Sequence, residues 1–151
     1  MRHWLATAIV TTLLLGSPAS VAVAADTFAN PLDRHGPDPW LQYYEGNYYL
    51  AATTWNNTIT MRKSATLGGL ATAPDTVVFT LTRPNGAGTM WAPEFHLLDG
   101  PDGKRWYLYY TAGEEPFRLQ SQRIHVLESA GLDPMGPYSF KADMLDPVDD
   151  T

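Results

Sequence analysis

The chain has 151 residues and no cysteine. Disulfide bonds and thiol chemistry are therefore excluded, so stability must come from core packing or bound ions. Basic residues are also scarce: ten Lys and Arg stand against sixteen Asp and Glu, which gives a formal charge of −6. Proteins that bind nucleic acid need basic patches, and this balance argues against such a partner.

A long apolar run is missing as well. The most apolar stretch, residues 4–15, is shorter than a bilayer span requires. It follows Arg2 and precedes small residues ending in VAVAA, which is the pattern of a secretory signal cleaved after Ala24 or Ala25. We predict a signal peptide over residues 1–25 and a secreted, extracellular protein that leaves the membrane after cleavage. A single membrane anchor is the alternative, and it would need a longer apolar core.

Sustained helical periodicity is absent after the signal. Short aromatic or β-branched runs alternate instead with Gly, Asn and Asp. Residues 40–53 predict a β-hairpin that turns through residues 45–47, and residues 94–112 predict a second hairpin that turns through residues 99–103. The predicted fold class is therefore all-β.

The two hairpins begin a repeat. Each is followed by a third strand, over residues 59–67 and 124–132, in which isoleucine, serine and leucine recur at a spacing of 65 residues. A fourth strand follows in each unit, over residues 76–81 and 138–142. Four strands per unit predict the blades of a β-propeller. Since two blades cannot close a ring, we expect either a C-terminally truncated piece of a propeller of roughly 300 residues or two-bladed units that oligomerise.

Each unit opens with a proline-containing acidic motif, GPDPW at residues 36–40 and MWAPEF at residues 90–95. The innermost strand of a propeller blade lines the central channel, so Asp38 and Glu94 are expected to point toward one axial cavity, with prolines limiting backbone freedom. Carboxylates that converge with aromatic side chains predict sugar chemistry, because glycosidases use two carboxyl groups around the scissile bond. The candidate sugar-stacking residues are Trp40, Trp55 and Trp91.

The remaining polar and aromatic residues give weaker indications of function. Three histidines lack metal-ligand spacing, so no metal site is predicted. Arg62 and Lys63 are interpreted as a solvated strand edge, with Arg62 within reach of a sugar hydroxyl. The aromatic residues of the second hairpin are interpreted as core. The histidines are His35, His96 and His125, and the core aromatics are Trp106, Tyr107 and Tyr109.

The segments NPLDRHGPDPW, YYEGNYYLAATTW, ITMRKSATL, MWAPEFH and RIHVLESAGLDPMGPY together resemble glycoside hydrolase family 43, most of all its secreted bacterial exo-α-1,5-L-arabinofuranosidases. The resemblance implies a five-bladed β-propeller, of which residues 26–151 would be blades 1 and 2. It implies inverting removal of arabinofuranosyl units from arabinan, other arabinose-containing plant cell-wall polysaccharide or arabino-oligosaccharides. No cofactor is implied. A structural calcium ion on the propeller axis is compatible with the family, although no ligand set in this sequence defines one.

The same resemblance assigns roles to four residues. Asp38 would be the general base that deprotonates the attacking water, Trp55 and Trp91 would shape the sugar pocket, and Glu94 would bind substrate. The family's other two carboxylates, an aspartate in the third blade and the general-acid glutamate, have no counterpart before residue 151. Because inversion needs a base and an acid about 6.5–9.5 Å apart, the 151-residue chain is expected to be inactive alone.

Three alternatives remain open. The first is a β-xylosidase or endo-arabinanase of the same family, since loops from the missing blades set the depth of the pocket. The second is a sugar-binding propeller without catalysis. The third makes Glu94 the acid, paired with Asp38.

Overall fold

The computed structural model describes residues 27–82 and 90–144. These residues form two four-stranded antiparallel sheets with strand orders β1-β2-β3-β4 and β5-β6-β7-β8. The first sheet contains β1 (Trp40–Tyr44), β2 (Asn47–Ala52), β3 (Thr58–Ser64) and β4 (Thr76–Thr80). The second contains β5 (Trp91–Gly100), β6 (Gly103–Ala112), β7 (Arg123–Ser129) and β8 (Tyr138–Met144). The helical elements in these ranges are two short 3₁₀ turns, Gly68–Ala71 and Leu119–Ser121, which confirms the all-β prediction.

Both hairpins turn where the sequence predicts. In the first, Glu45 and Gly46 have φ values of 45° and 79°, as in a type I′ turn, whose twist matches that of the flanking strands. In the second, Gly100 pairs with Gly103, whose φ is 93°. Glycine tolerates this left-handed backbone without strain, so the turn residues themselves set the register of each hairpin.

Several strand boundaries differ from the prediction. The third strand of each sheet ends three residues earlier than predicted, at Ser64 and at Ser129, and a 3₁₀ turn follows the first of them. The second sheet begins at Trp91 instead of Glu94, because β5 carries a bulge between these two residues. Ala92, inside the bulge, has a φ of 45°. A bulge adds an unpaired residue and re-aims the neighbouring side chains, which short-range sequence patterns do not reveal.

The hydrophobic core lies between the two sheets. β1 and β2 contact β5, and β4 contacts β8, so the sheets pack as neighbouring wedges along both their inner and outer strands. Met61 from the first sheet and Phe95, Leu108 and Leu127 from the second are completely buried. Burying such a side chain contributes about 1.5–3 kcal/mol. The two sheets are therefore two adjacent blades of a β-propeller, held together by a shared core.

The aromatic residues of the second hairpin behave largely as predicted. Trp106 is buried in the core, where its ring lies 5.1 Å from that of Tyr44 and 5.6 Å from that of Phe95. Tyr107 is buried and Tyr109 is half-buried. These rings therefore stabilise the blades and their interface.

The interpretation of Arg62 as a solvated edge is wrong. Its side chain is only 14% exposed, and its Nε and Nη2 donate to the two carboxylate oxygens of Asp75 at 2.7 and 3.1 Å. Nη2 also lies 3.3 Å from Asp33, and Nη1 donates to the carbonyl oxygen of Leu32 at 3.2 Å. The hydrogen bonds to Asp75 raise the pKa of Arg62. Arg62 thus ties the segment before the GPDPW motif to the first blade.

Residues 1–25, the predicted signal peptide, lie outside the ranges that the structure describes. Within 27–82 and 90–144, none of the helical elements has the length and apolar character needed to cross a bilayer.

Candidate active site

Asp38 lies in the loop that leads into β1, and its backbone is left-handed, with a φ of 52°. Two hydrogen bonds hold this loop against the residue after β2. The N–H of Thr53 donates to the carbonyl oxygen of Pro37 at 2.9 Å, and the Thr53 hydroxyl donates to Oδ2 of Asp38 at 2.8 Å. The flanking prolines restrict φ on both sides. The carboxylate of Asp38 is therefore fixed by both its backbone and one of its oxygens.

Thr53 also connects Asp38 to the second blade. Its Oγ1 accepts the N–H of Ala92 at 2.7 Å, and Thr53 itself is only 3% exposed. Ala92 belongs to the WAPE motif at the start of β5. The two motifs that open the sequence repeats are thus joined through one threonine hydroxyl, and the carboxyl group of Asp38, although exposed, is held toward the second blade.

Two tryptophans meet beside this link. The rings of Trp55 and Trp91 make an edge-to-face contact with centroids 5.5 Å apart. Trp55 is 56% exposed, whereas Trp91 is half-buried and packs against Phe117 at 5.3 Å. Trp55, Trp91 and Phe117 form what we call the aromatic wall. Phe117 was not predicted, because it lies in the loop between β6 and β7 and no repeat or strand pattern marks it.

Glu94 lies on β5, three residues after Trp91, and its side chain is 46% exposed. Its Oε2 is 3.7 Å from Nε2 of His96. Among the described residues no hydrogen bond or ion pair joins Glu94 to Asp38. Glu94 is therefore open to solvent near the inner edge of the second blade, where it remains a predicted substrate-binding residue.

Trp40, the third candidate aromatic, serves the contact between the blades. Its Nε1 donates to the carbonyl oxygen of Phe95 at 3.0 Å, and its ring meets that of His96 edge-on at 5.0 Å. Both contacts cross from β1 to β5. The indole of Trp40 therefore contributes to the interface between the two blades, and only part of it is accessible to a ligand.

The histidines behave as structural or surface groups. His125 is buried, with Nδ1 2.5 Å from Oδ1 of Asp143 and Nε2 3.1 Å from the carbonyl oxygen of Ala112. His35 is exposed and His96 is half-exposed. In the described ranges, no three acidic or histidine side chains cluster closely enough to hold a metal ion.

Strained backbone is concentrated at the candidate site. Among the described residues other than glycine, four have positive φ: Asp38, Trp55, Ala92 and Glu45. Glu45 is explained by its hairpin turn, and the other three surround Thr53. A non-glycine residue in this conformation costs of order 1–3 kcal/mol and persists only where its surroundings impose it, commonly at functional sites.

Another charge network lies on the second blade. Glu128 accepts hydrogen bonds from the Lys141 ammonium and from the Tyr107 hydroxyl, both at 2.8 Å. The bond from Lys141, followed by that from Tyr107, lowers the pKa of Glu128. This network joins β6, β7 and β8 and is separate from Asp38 and the aromatic wall.

The site therefore offers one oriented carboxylate beside an aromatic wall. Oδ2 of Asp38 is occupied by Thr53, while no donor in the described residues bonds to Oδ1. Such a carboxylate can accept a proton from a bound water.

Comparison with known proteins matches the chain to a protein family. The family model described as glycosyl hydrolases family 43 matches residues 28–150. The extracellular exo-alpha-(1->5)-L-arabinofuranosidase of Streptomyces avermitilis is 36% identical over 143 residues, which cover 90% of this chain and 29% of the relative. The protein of the same name from Streptomyces chartreusis is 39% identical over 113 residues, which cover 71% of this chain and 32% of the relative.

A solved structure supports the same family assignment. The crystal structure of alpha-L-arabinofuranosidase from Lactobacillus brevis superposes with a TM-score of 0.67 and 28% identity, covering 80% of this chain and 39% of that one. The chain thus spans between 29% and 39% of the length of these three proteins. About two blades of a five-bladed propeller account for such partial coverage. The chain belongs to glycosyl hydrolases family 43.

Proposed function

We propose that this chain forms blades 1 and 2, the N-terminal part, of a secreted inverting glycosidase that removes L-arabinofuranosyl units from arabinan or other arabinose-containing plant polysaccharide. Membership of family 43 and the arabinofuranosidase names of the relatives support this proposal. The observation that carries it is the bonding of the Asp38 carboxylate: Thr53 donates to Oδ2, while no donor among the described residues bonds to Oδ1. Trp55 and Trp91, which contact each other, are close in sequence to Thr53 and to its partner Ala92.

In this proposal Asp38 is the general base. Its Oδ1, to which no donor in the described part of the chain bonds, accepts a proton from a water, and the water oxygen attacks the anomeric carbon as the bond to the leaving oxygen breaks. The leaving oxygen must take a proton from an acid on the opposite side of the bond, about 6.5–9.5 Å from the base. That acid is the glutamate that the family resemblance places beyond residue 151. The chain alone would accordingly lack turnover.

The remaining site residues bind and orient the sugar. The exposed ring of Trp55 and the half-buried ring of Trp91 give the apolar side of a furanose ring a surface to pack on. The half-exposed carboxylate of Glu94 can accept hydrogen bonds from sugar hydroxyls. Holding the ring in place raises the effective concentration of the water at the reacting carbon.

Secretion follows from the predicted signal. Cleavage near residue 25 would leave a mature chain beginning with the sequence DTFANP or ADTFANP. N-terminal sequencing of the protein recovered from the culture supernatant tests this. Retention of residues 1–25 on a membrane-bound protein would favour the anchor alternative.

The activity is tested in the completed enzyme, meaning this chain joined in frame to the rest of the Streptomyces avermitilis relative, of which it covers 29%. We expect arabinose release from α-1,5-arabino-oligosaccharides, with the first product having the inverted anomeric configuration by NMR. Asp38→Asn should lower kcat by about 10²–10⁴-fold. Binding of oligosaccharide without any release would instead favour a sugar-binding propeller.

The fragment is tested alongside. The 151-residue chain alone should release no arabinose. Turnover by the chain comparable with that of the completed enzyme would contradict the role of a later acid, and Glu94→Gln would then show whether Glu94 supplies the proton.

A further inference from the structure

We propose that Thr53 is a positioning residue that makes the orientation of Asp38 depend on the docking of the second blade. This inference rests on the proposed function, in which Asp38 is the base. Thr53 is one of the few buried polar residues in the described part of the chain, and its hydroxyl bridges side chain and backbone across the two blades.

The direction of this bridge is fixed by the donor inventory. A backbone N–H can only donate, so Ala92 must donate to Oγ1 of Thr53 at 2.7 Å. The Thr53 hydroxyl has a single proton, and it donates this proton to Oδ2 of Asp38, which is 2.8 Å away. An ionised carboxylate only accepts, so the chain of two bonds runs from the second blade to the base without ambiguity.

The bridge leaves the reacting oxygen available. Because Thr53 is bonded to Oδ2, Oδ1 is the oxygen left to accept the proton of a water, and no donor within residues 27–82 and 90–144 bonds to it. The peptide N–H of Thr53 adds a second restraint by donating to the carbonyl oxygen of Pro37 at 2.9 Å. As a β-branched residue, threonine also has few χ1 rotamers, so its hydroxyl is well directed.

The strained backbone fits the same assignment. Asp38 and Ala92, the two bonding partners of the Thr53 hydroxyl, have φ values of 52° and 45°, and Trp55 nearby has a φ of 58°. None of the three is a glycine. Interactions with the surroundings must hold these residues in place, and the Thr53 hydroxyl supplies one for each of its partners.

Substitutions at position 53 separate this role from simple packing. Valine has nearly the shape of threonine, but it would leave the Ala92 N–H without its acceptor and Asp38 without its donor. Serine keeps the hydroxyl and loses only a methyl group. A matched control is Thr60→Val, which removes a hydroxyl from a half-buried position on β3; among the residues that the structure describes, no hydrogen bond joins that hydroxyl to Asp38 or Ala92.

The first measurement is steady-state kinetics of the completed enzyme. We expect Thr53→Val to lower kcat roughly 10- to 100-fold, the range that a small misplacement of a reacting group produces. KM should stay within about twofold, since sugar contacts are retained. Thr53→Ser should restore most of kcat, and Thr60→Val should match the wild type. A normal kcat for Thr53→Val would overturn the inference, as would an equal loss in the serine variant.

The second measurement does not need activity. In the 151-residue chain, amide hydrogen exchange at Ala92, followed by NMR, should speed up in Thr53→Val and stay slow in Thr53→Ser and Thr60→Val. If Thr53→Val does not fold, Thr53→Ala serves in both measurements. Unchanged exchange at Ala92 in a folded variant that lacks the hydroxyl would refute the bridge.

The two measurements also keep the two proposals apart. A completed wild-type enzyme that releases no arabinose would end the proposed function while leaving the exchange result to judge the bridge. An active wild type whose Thr53→Val variant keeps its kcat would end the inference about Thr53 and leave the glycosidase assignment intact.

Discussion

The indole N–H of Trp40 donates to the carbonyl oxygen of Phe95 at 3.0 Å, across 55 positions of sequence and from one blade to the next. The side-chain amide of Gln42 reaches the same oxygen at 3.5 Å. Phe95 is completely buried at the centre of the shared core. The inner strands β1 and β5 are thus joined by a directed polar contact on top of their apolar packing.

Trp40→Phe is expected to weaken this joint. Phenylalanine keeps an aromatic ring against His96 but removes the donor, which should lower the free energy of unfolding of the chain by about 1–2 kcal/mol. Urea unfolding followed by circular dichroism measures the change. Gln42→Leu is the comparison: its longer bond should matter less, and a larger loss for Gln42→Leu than for Trp40→Phe would contradict the assignment.

Trp55→Ala is expected to weaken sugar binding by the completed enzyme. Trp55 is 56% exposed and forms the accessible part of the aromatic wall. Loss of an aromatic contact of about 1.4 kcal/mol corresponds to a tenfold rise in KM. Trp55→Phe should retain much of the binding. A Trp55→Ala enzyme with unchanged KM for arabino-oligosaccharides would remove Trp55 from the pocket.

Arg62→Met is expected to release the segment before the GPDPW motif. The substitution removes the guanidinium that contacts Asp33 and Asp75 and the donor to the carbonyl oxygen of Leu32. Limited proteolysis should then cleave residues 27–36 faster than in the wild type. Arg62→Lys should show an intermediate rate, because an ammonium cannot reproduce the two-pronged contact with Asp75.

The neighbouring residue provides the control. Lys63 is exposed, and its Nζ lies 5.4 Å from the ring centroid of Tyr49. Lys63→Met should leave the cleavage rate of residues 27–36 unchanged. Faster cleavage in both variants would mean that loss of positive charge on β3, and not the Arg62 contacts, loosens the segment.

Stability should depend on pH through Glu128. Lys141 and Tyr107 lower the pKa of Glu128 below the ordinary carboxyl value of 4.5, so the folded state favours the ionised form. The resulting stabilisation is fully present above that value and is lost as the pH falls through the folded-state pKa. The urea midpoint of the wild type should therefore exceed that of Glu128→Gln at pH 7, and the difference should shrink on acidification toward pH 3. A difference that grows at low pH would contradict the network.

Much of the architecture could be predicted from local sequence. The turns at residues 45–47 and 99–103 carry the glycines that a left-handed backbone requires, and the repeat at a spacing of 65 residues marks equivalent third strands. Ser64 and Ser129, equivalent in that repeat, both accept a backbone N–H through Oγ, from Thr66 and Trp106 respectively. Patterns of this kind are short-range or periodic, so one sequence is enough to detect them.

The connections of the site could not be predicted in the same way. Asp38 and Trp91 stand in conspicuous motifs, whereas Thr53 looks like any hydroxyl at the end of a strand. Its partner Ala92 is 39 positions away and acts through a backbone N–H, which has no sequence signature. The bulge that turns Ala92 toward Thr53 and the loop that brings Phe117 to Trp91 are likewise set by tertiary packing.

The shared core has a consequence for biosynthesis. Residues 40–80, which form the first sheet, leave the ribosome before residues 91–112, whose side chains cover its apolar face. At a synthesis rate of roughly 5–20 residues per second, the side chains of Ile59 and Met61 remain uncovered for a few seconds. During that interval the nascent first blade exposes apolar side chains, so holdase chaperones should associate with ribosomes stalled when residue 80 has left the exit tunnel and dissociate once the second hairpin has emerged.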